Sequence, residues 1–384
     1  MRTNISTSIS GIDPAAWDAL DAGGAPFLRH AFLAALEDTG CVGGRTGWTP
    51  APVTLHDEHG LAAAAPVYVK AHSFGEFVFD FSWAQAYAQH GLDYYPKLVI
   101  GSPFTPATAP RLLVRPGADA PALRKRLIRE IESVAQSRGC SSVHGLFVSA
   151  DDAQAFADAG WLERFDVQFH WANQNYRDFD QYLETFTTRF RKNARRERRR
   201  LEESGLVCDT LLGPDLDEAA IDEVYFLHRD TFLRHGHEPY LTREFFRALP
   251  GALGEKLMIK RARRGNETVA ASVFYWSDDA LFGRYWGTRE QHNGLHFELC
   301  YHQGIDFCIE RGIRRFEPGT QGEHKISRGF VPQRTWSVHW IAHAAFREAI
   351  SDYLKREGTQ VARYAHEIDK HVPYRDARHA ARAK

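Results

Sequence analysis

The order of hydrophobic and polar positions predicts a mixed succession of strands and helices along the first half of the chain. Apolar residues within 120–138 recur three or four positions apart, which predicts an amphipathic helix that ends at Gly139. The segments 142–148 and 164–171 are short runs rich in apolar and aromatic residues, and they predict strands. Upstream, two apolar runs within 52–70 flank a turn-forming DEHG and predict a hairpin.

The second half shows a similar order of elements. The elements predicted there are a helix over 178–204, helices within 217–249, three strands between 256 and 287, a helix over 295–311, a strand at 314–318, a short helix near 323–329 and a strand over 335–341. In both halves a hairpin or meander precedes a long helix, a short strand, a short helix and a last strand.

The ends of the two halves also match in residue type. GW at 160–161 is followed ten residues later by HW at 170–171, and GF at 329–330 is followed ten residues later by HW at 339–340. Together with the matching order of elements, this predicts an internal duplication. The predicted fold class is therefore α/β (α+β), with two mixed sheets flanked by helices. The predicted segments are a first domain over 1–172, a second domain over 173–343 and a helical, basic tail over 344–384.

Composition and charge limit the classes of function. The 384 residues include 48 Lys+Arg against 49 Asp+Glu, so the whole molecule has no long-range attraction for nucleic acid and no DNA partner is expected. No segment approaches the roughly 18 uninterrupted apolar residues of a membrane helix. Five cysteines without CxxC spacing are typical of reduced thiols, so we expect a cytoplasmic protein.

One helix concentrates positive charge. The stretch RFRKNARRERRR, 189–200, has eight basic residues in twelve, while an apolar stripe along the same helix ends at Leu201. Glu197 falls in a gap of that stripe, where a lone carboxylate needs a partner. The arginines therefore occupy either a solvated face or a surface for a phosphate-bearing ligand such as tRNA. The candidates for such binding are Arg195, Arg196, Arg198 and Arg199.

The repeated unit resembles the GNAT acyltransferase fold. The stretch YWGTREQHNGLHFELCYHQGIDFCIERGIRRFEPGTQGEHKISRGFVP is similar to the second GNAT repeat of Fem-like acyltransferases, and TRFRKNARRERRRLEESGL is similar to the basic helix that opens it. In the first half, FGEFVFDFSWAQAYAQHGLDYYPKL and SPFTP resemble predicted N-acyltransferases associated with peptidoglycan biosynthesis or recognition. The resemblance covers about 15–345 and implies a tandem GNAT fold, with the donor in the second module and the acceptor between the halves.

The resemblance also implies a donor site. GNAT enzymes hold the donor pyrophosphate on backbone N–H groups at a helix N-terminus, where glycines allow close approach. His292 stands where the family has its first glycine, so acyl-CoA and aminoacyl-tRNA both stay open as donors, and neither is a tightly bound cofactor. The candidate donor-binding residues are Arg289, Asn293, Gly294, Leu295 and Lys325.

Candidate catalytic residues follow the strand at 314–318. Attack by an amine on a thioester or ester requires a neutral amine, so a nearby carboxylate or imidazole is useful as a base. Glu317, Glu323 and His324 are the candidates. The alternative is a helix N-terminus at which Glu323 only complements the helix dipole.

The aromatic-rich region of the first half supplies an acceptor hypothesis. Proline-containing loops such as YYPKL and SPFTP suit a groove for an acceptor, and structural packing is the alternative. The candidate acceptor-binding residues are Asp80, Trp83, Tyr94, Tyr95 and Lys97.

The expected function is transfer of an acyl or aminoacyl group to an amine of a peptide or small molecule. The histidine-rich HRDTFLRHGHE matches no standard ligand spacing, so no metal site is expected. The alternative from a different class is a non-catalytic module that binds peptidoglycan precursors or another partner. The acceptor's identity and the oligomeric state stay open.

Overall fold

A computed structural model describes residues 1–290, 292, 294–320 and 322–376. Contacts divide the chain into two compact units, and each unit consists of two separate stretches of the sequence. The first unit contains Met1–Asp166 and Arg334–Ala362, and the second contains Val167–Gln333 and the chain from Arg363 onward. The domain boundaries after 172 and 343 stay predictions, since contact units and sequence repeats need not end at the same residue.

The elements up to the end of the first repeat are β1 (Arg2–Ile5), α1 (Pro14–Asp18), α2 (His30–Asp38), β2 (Trp48–Pro50), β3 (Val53–Asp57), β4 (Gly60–Ala65), β5 (Val67–Lys70), α3 (Phe81–Gln89), β6 (Lys97–Ile100), β7 (Leu113–Val114), α4 (Ala120–Ser137), β8 (Ser142–Val148), α5 (Ala150–Asp158) and β9 (Leu162–Ala172). The elements that follow are α6 (Phe179–Glu184), α7 (Thr188–Glu203), β10 (Val207–Leu212), α8 (Glu218–Arg234), α9 (Arg243–Leu253), β11 (Leu257–Arg264), β12 (Glu267–Trp276), β13 (Ala280–Thr288), α10 (Leu295–Phe297), α11 (Gln303–Arg311), β14 (Arg315–Glu317), β15 (Val331–Ile341) and α12 (Ala344–Asp369).

The first unit contains a four-stranded antiparallel sheet, β1–β3–β4–β7, and a mixed sheet that includes β15–β8–β6–β5–β2. In the mixed sheet β6 and β8 are parallel. Helix α4 begins where the Asp119 carboxylate accepts a 3.1 Å hydrogen bond from the Ala122 N–H. Its apolar face, with Leu127 and Ile131 fully buried, packs into the core as the periodicity predicted.

The second unit contains a mixed sheet in the order β10–β11–β12–β13–β14–β9. Strands β10 to β13 form an antiparallel meander. β14 then pairs parallel to β13 over only Ala280–Phe282, whereas β13 continues to Thr288. β14 ends at Glu317, opposite Phe282, so the rest of β13 extends beyond the end of its parallel partner, and a cavity lies beside it.

The helix predicted over 178–204 is two helices, α6 and α7. Asp178 caps the first turn of α6 by accepting a 2.7 Å hydrogen bond from the Gln181 N–H. The chain then leaves the helix, because the Thr185 hydroxyl donates to the Tyr182 carbonyl at 2.6 Å and the Thr187 N–H donates to the Pro373 carbonyl at 2.8 Å. Residues distant in sequence thus interrupt a helix that local periodicity would continue.

Buried His228 on α8 leads to a prediction about acid stability. Its side chain is enclosed by Phe232, Phe246 and Tyr285, with ring centroids 4.7–5.0 Å away, and its Nε2 has no hydrogen-bond partner within the described ranges. Burial lowers the pKa of His228 to about 3. The unfolded chain therefore takes up this proton first as the pH falls from about 6.5, and stability contributed by the neutral imidazole is lost between about pH 6.5 and 3.

We expect His228→Phe to weaken the acid destabilisation by up to about 1.4 kcal/mol per pH unit within that window. Urea unfolding at several pH values between 7 and 4 measures this. The matched control, exposed His59→Phe, should keep the wild-type dependence. A His228→Phe variant whose unfolding free energy follows the wild-type slope would contradict the prediction.

Candidate active site

A cavity of about 80 Å³ lies in the second unit, along the part of β13 that extends beyond the end of β14. At the edge of the cavity β13 lies close to Pro318, and Gly283 permits this approach because a Cβ at that position would lie 3.1 Å from the Pro318 Cα. One wall comes from β12 and β13, and the other comes from the helical segment that follows β13. The lining residues are Ser272, Val273, Phe274, Gly283, Arg284, Tyr285, Trp286, His296, Cys300, Tyr301 and Pro318.

A π-helical turn shapes the helical wall. The turn spans Glu298–His302, between α10 and α11, and such wider turns inside helices occur frequently at functional sites. It carries Cys300 and Tyr301 at the cavity. The Cys300 sulfur lies 2.8 Å from the Ser272 hydroxyl, and burial raises the pKa of the thiol to about 12. Cys300 is therefore a neutral thiol and a poor nucleophile.

His324 joins the cavity through Tyr301. The Tyr301 hydroxyl and His324 Nε2 are 2.8 Å apart, and the rings of His324 and His296 are 5.7 Å apart. Burial, with the positive charges of Lys325 and Arg328, lowers the pKa of His324 below its usual value. The imidazole is thus neutral at neutral pH and can accept a proton. Only glycine fits beneath it, since a Cβ on Gly322 would lie 2.3 Å from the ring.

Lys325 stabilises the turn next to the cavity. Its ammonium donates a 2.8 Å hydrogen bond to the Gly319 carbonyl, one residue after Pro318. Burial lowers the pKa of Lys325 to about 8. The side chain is therefore a buried group that loses its charge more easily than an ordinary lysine but is still mostly charged at neutral pH. Its predicted contact with the donor stays a prediction.

The structure places the three predicted catalytic residues differently. His324 contacts a cavity residue, whereas exposed Glu323 accepts a 2.8 Å hydrogen bond from the Tyr364 hydroxyl. Glu317 is buried at the end of β14, 3.5 Å from the Arg315 guanidinium and 3.9 Å from the His170 ring. Of the three, only His324 contacts a residue that lines the cavity, and the catalytic roles of all three stay predictions.

The predicted donor loop lies directly before α10. Gly294 starts the helix with a left-handed φ of 90°, and Leu295 is a core residue whose N–H donates to the His292 carbonyl at 3.2 Å. The Arg289 guanidinium donates to the Thr268 carbonyl at 3.2 Å. Asn293 lies outside the described residues. Donor binding by this loop stays a prediction.

The basic helix α7 corrects one of the predicted phosphate contacts. Arg198 points inward, where it pairs with Asp306 at 2.6 Å and Glu298 at 3.1 Å and lies 4.5 Å from the Phe179 ring centroid. Its charge is already neutralised, so the periodicity that counted it on the outer face was wrong at this position. The basic residues exposed on the outer face of α7 are Arg189, Lys192, Arg195, Arg196, Arg199 and Arg200.

The residues predicted to bind the acceptor form a buried polar cluster in the first unit. The Lys97 ammonium, with no exposed surface, donates to Asp80, to Glu76 at 2.8 Å and to Ser73 at 2.9 Å. The Tyr94 hydroxyl donates to Asp80 at 2.6 Å. Burial alone would lower the pKa of Lys97, but the two carboxylates raise it above its usual value.

The cluster continues to two histidines. Tyr94 contacts His144 at 3.1 Å, and the Nδ1 atoms of His144 and His339 are 2.6 Å apart. The ring of Trp83 packs 4.9 Å from His339. Because these groups are buried and bond to one another, they form an internal network rather than an open groove, and contact with an acceptor stays a prediction. Tyr95 is the more exposed member, joined to Ser73 at 2.8 Å.

Sequence reasoning missed the helical wall of the cavity. In FELCYH the spacing of Phe297 and Tyr301 is typical of a buried apolar face, and both do pack in the core. The sequence signal that could have indicated a cavity wall here was the presence of His296 and Cys300 among the apolar residues, directly after the predicted donor loop.

A family model described as FemAB-like, peptidoglycan biosynthesis/recognition, matches residues 8–376. The chain belongs to the FemAB-like family. No curated protein matches the sequence. Within the described ranges, no helix of this FemAB-like protein is both long and apolar enough to cross a membrane.

Solved structures share the fold of this FemAB-like protein at low sequence identity. FemX is 10% identical with a TM-score of 0.55, and the match covers 91% of this chain and 100% of FemX. The C-terminal domain of a protein assigned as lysylphosphatidylglycerol synthetase from Agrobacterium fabrum is 11% identical with a TM-score of 0.55, covering 90% and 96%. L-PGS from Bacillus licheniformis is 13% identical with a TM-score of 0.50, covering 84% and 95%. The predicted fold class, mixed α/β of the tandem GNAT and Fem-like type, is confirmed.

Proposed function

We propose that this FemAB-like protein is an N-acyltransferase that moves an acyl or aminoacyl group from an ester or thioester donor to an amine. The observation that carries the proposal is the cavity beside β13, beyond the end of β14, with Tyr301 in its lining and His324 in contact with the Tyr301 hydroxyl. The family description supports an acceptor related to peptidoglycan, such as a peptide amine. The first unit and its tyrosines are the candidate acceptor side, and the cytoplasmic location stays a prediction.

The chemistry needs one proton acceptor and no covalent intermediate on the protein. The acceptor nitrogen attacks the donor carbonyl carbon, and the new C–N bond replaces the C–O or C–S bond. The electron pair of the broken bond leaves with the donor oxygen or sulfur. His324, kept neutral by its surroundings, accepts the proton lost by the nitrogen and returns it to the leaving group. The neutral Cys300 thiol supports direct transfer over a thioester relay.

The outer face of α7 favours aminoacyl-tRNA over acyl-CoA as the donor. Six exposed basic residues exceed what the pyrophosphate of CoA needs, whereas an RNA backbone can contact all of them. Arg195 has one surface partner, Asp180 at 2.8 Å, and such exposed pairs are worth little against a polyanion.

Two incubations test the proposal. The purified protein is mixed separately with labelled acetyl-CoA and with labelled aminoacyl-tRNA, and binding and transfer to an amine acceptor are measured. Binding and transfer from either donor support the N-acyltransferase, and the donor used identifies its class. If neither donor binds, the enzyme hypothesis is wrong and a non-catalytic binding module takes its place.

We expect Arg195→Ala/Arg196→Ala/Arg199→Ala to weaken tRNA binding and flatten its salt dependence. Each lost phosphate contact reduces the slope of log K against log salt by roughly 0.7–0.9, so three contacts account for about 2–3. Filter binding at several salt concentrations measures the slope. The control Lys125→Ala/Arg126→Ala/Arg129→Ala removes equal charge from exposed positions of α4 and should leave the slope unchanged. Equal slopes for both variants would show that α7 does not bind the RNA.

A further inference from the structure

Glu197 is the one acidic residue in the basic stretch of α7, and both of its carboxylate oxygens are paired. Its Oε1 accepts a 2.6 Å hydrogen bond from Arg328, and its Oε2 lies 3.1 Å from His302 Nε2. Burial acts to raise the pKa of Glu197, but the hydrogen bond from His302 and the charge of Arg328 lower it below its usual value. The carboxylate is therefore ionised and held from two sides.

Arg328 extends this pair to the candidate base. Its guanidinium also donates a 2.6 Å hydrogen bond to the His324 carbonyl, and it lies 3.3 Å from the Phe297 ring centroid. His324 in turn contacts Tyr301 at 2.8 Å. Tyr301 and His302 are consecutive residues of the π-helical turn. The contacts therefore form a closed network of five residues, Glu197, Arg328, His324, Tyr301 and His302.

This network of contacts joins two surfaces of the second unit. On one side it reaches the cavity through Tyr301. On the other side Arg195, Arg196 and Arg199 flank Glu197 on the exposed face of α7. The α7 backbone at Glu197 also packs on the start of α10, where a Cβ on Gly294 would lie 3.7 Å from the Glu197 carbonyl oxygen. Helix α7 is therefore in direct contact with the helical wall at Glu197.

We propose that Glu197 is a positioning residue, which holds the His324–Tyr301 pair at the cavity and links it to a polyanion bound on the outer face of α7. The second part rests on the proposed function, since it requires that RNA binds this face. Binding of RNA then changes the surroundings of the His324 imidazole although the RNA does not touch it. Glu197→Gln keeps the size of the side chain but removes the charge that holds Arg328.

NMR of histidine-labelled full-length protein tests the link, with the His324 signal assigned through His324→Gln. The probe is deacylated tRNA, which carries no amino acid. We expect saturating tRNA to shift the His324 signal in the wild type, and the shift to fall at least threefold in Glu197→Gln although tRNA affinity changes less than twofold. Without RNA, Glu197→Gln should already move the His324 signal, while the exposed His59 signal stays in place. The matched control Glu202→Gln removes an exposed carboxylate from the same helix and should behave as the wild type.

Arg328→Lys provides a second variant that keeps the positive charge but lacks the two separate guanidinium nitrogens that contact the His324 carbonyl and Glu197, and it should reduce the shift as well. If tRNA binds and the His324 shift is equal in wild type and Glu197→Gln, the link is wrong while the proposed donor stands. If Glu197→Gln leaves the His324 signal in place without RNA, the positioning role is wrong whatever the donor is. If tRNA fails to bind the wild type, the link falls together with aminoacyl-tRNA as the donor, and the spectrum without RNA still decides the positioning role.

Discussion

Lys97→Met is expected to lower the free energy of unfolding by about 3–5 kcal/mol, the usual cost of removing one partner from a buried ion pair. Methionine fills most of the space but leaves the carboxylates of Asp80 and Glu76 buried without their cation. Lys97 holds the pKa of Asp80 at about 2 against the effect of burial, and burial raises the pKa of Glu76 to about 7. Loss of the ammonium therefore leaves two buried carboxyl groups without their cation, and each must either stay in the core as an unpaired charge or take up a proton.

Urea unfolding at pH 7 measures the effect. The triple variant Lys97→Met/Asp80→Asn/Glu76→Gln removes the charges together and should recover much of the loss, because buried pairs can be replaced by neutral groups at low cost. The control Lys125→Met changes an exposed lysine and should alter stability by less than about 0.5 kcal/mol. A loss below about 1 kcal/mol for Lys97→Met would mean that the cluster is hydrated or already neutral.

His324→Ala is expected to lower the rate of acyl transfer by about 10²–10⁴-fold, the usual contribution of a positioned general base. The side chain is only partly buried at the surface, so its removal should leave the fold stable. Single-turnover transfer with saturating donor isolates the chemical step. Because the pKa of His324 lies below its usual value, wild-type transfer should persist from neutral to mildly acidic pH and fall only when the imidazole is protonated.

Two further variants sharpen this result. Tyr301→Phe removes the hydroxyl 2.8 Å from His324 and should lower the rate in the same direction while leaving donor binding intact. The control His235→Ala removes an exposed histidine of the same unit and should keep the full rate. A His324→Ala enzyme that transfers at the wild-type rate would exclude this base and make buried Glu317 the next candidate.

Local pattern predicted the elements well where packing agrees with it. Helix α4 was predicted over 120–138 and spans Ala120–Ser137, because an Asp119 cap and a continuous apolar face point to the same ends. The predicted helix over 178–204 is interrupted at 185–187, where a local hydrogen bond from Thr185 to the Tyr182 carbonyl is joined by one from Thr187 to the Pro373 carbonyl. No local signal encodes a partner as distant as Pro373.

The candidate site divides in the same way. His324 was predicted from a polar loop after a strand, and it lies beside the cavity. The spacing of Tyr301 is typical of a core residue, and spacing cannot distinguish a residue that only packs from one that packs and also lines a cavity. Arg198 was counted as available charge, although Asp306 and Glu298 neutralise it from another helix.

The sequence by itself determined the succession of helices and strands, the repeated order of the two halves and the FemAB-like family, since these depend on side-chain periodicity and on residues close together in the chain. Only the tertiary structure decided where charge is available. It buried Lys97 with Asp80 inside the first unit, turned Arg198 inward and left Arg195 and Arg199 exposed. The physical reason is that these charges are neutralised by ion-pair partners distant in sequence, and only folding brings those partners within contact distance.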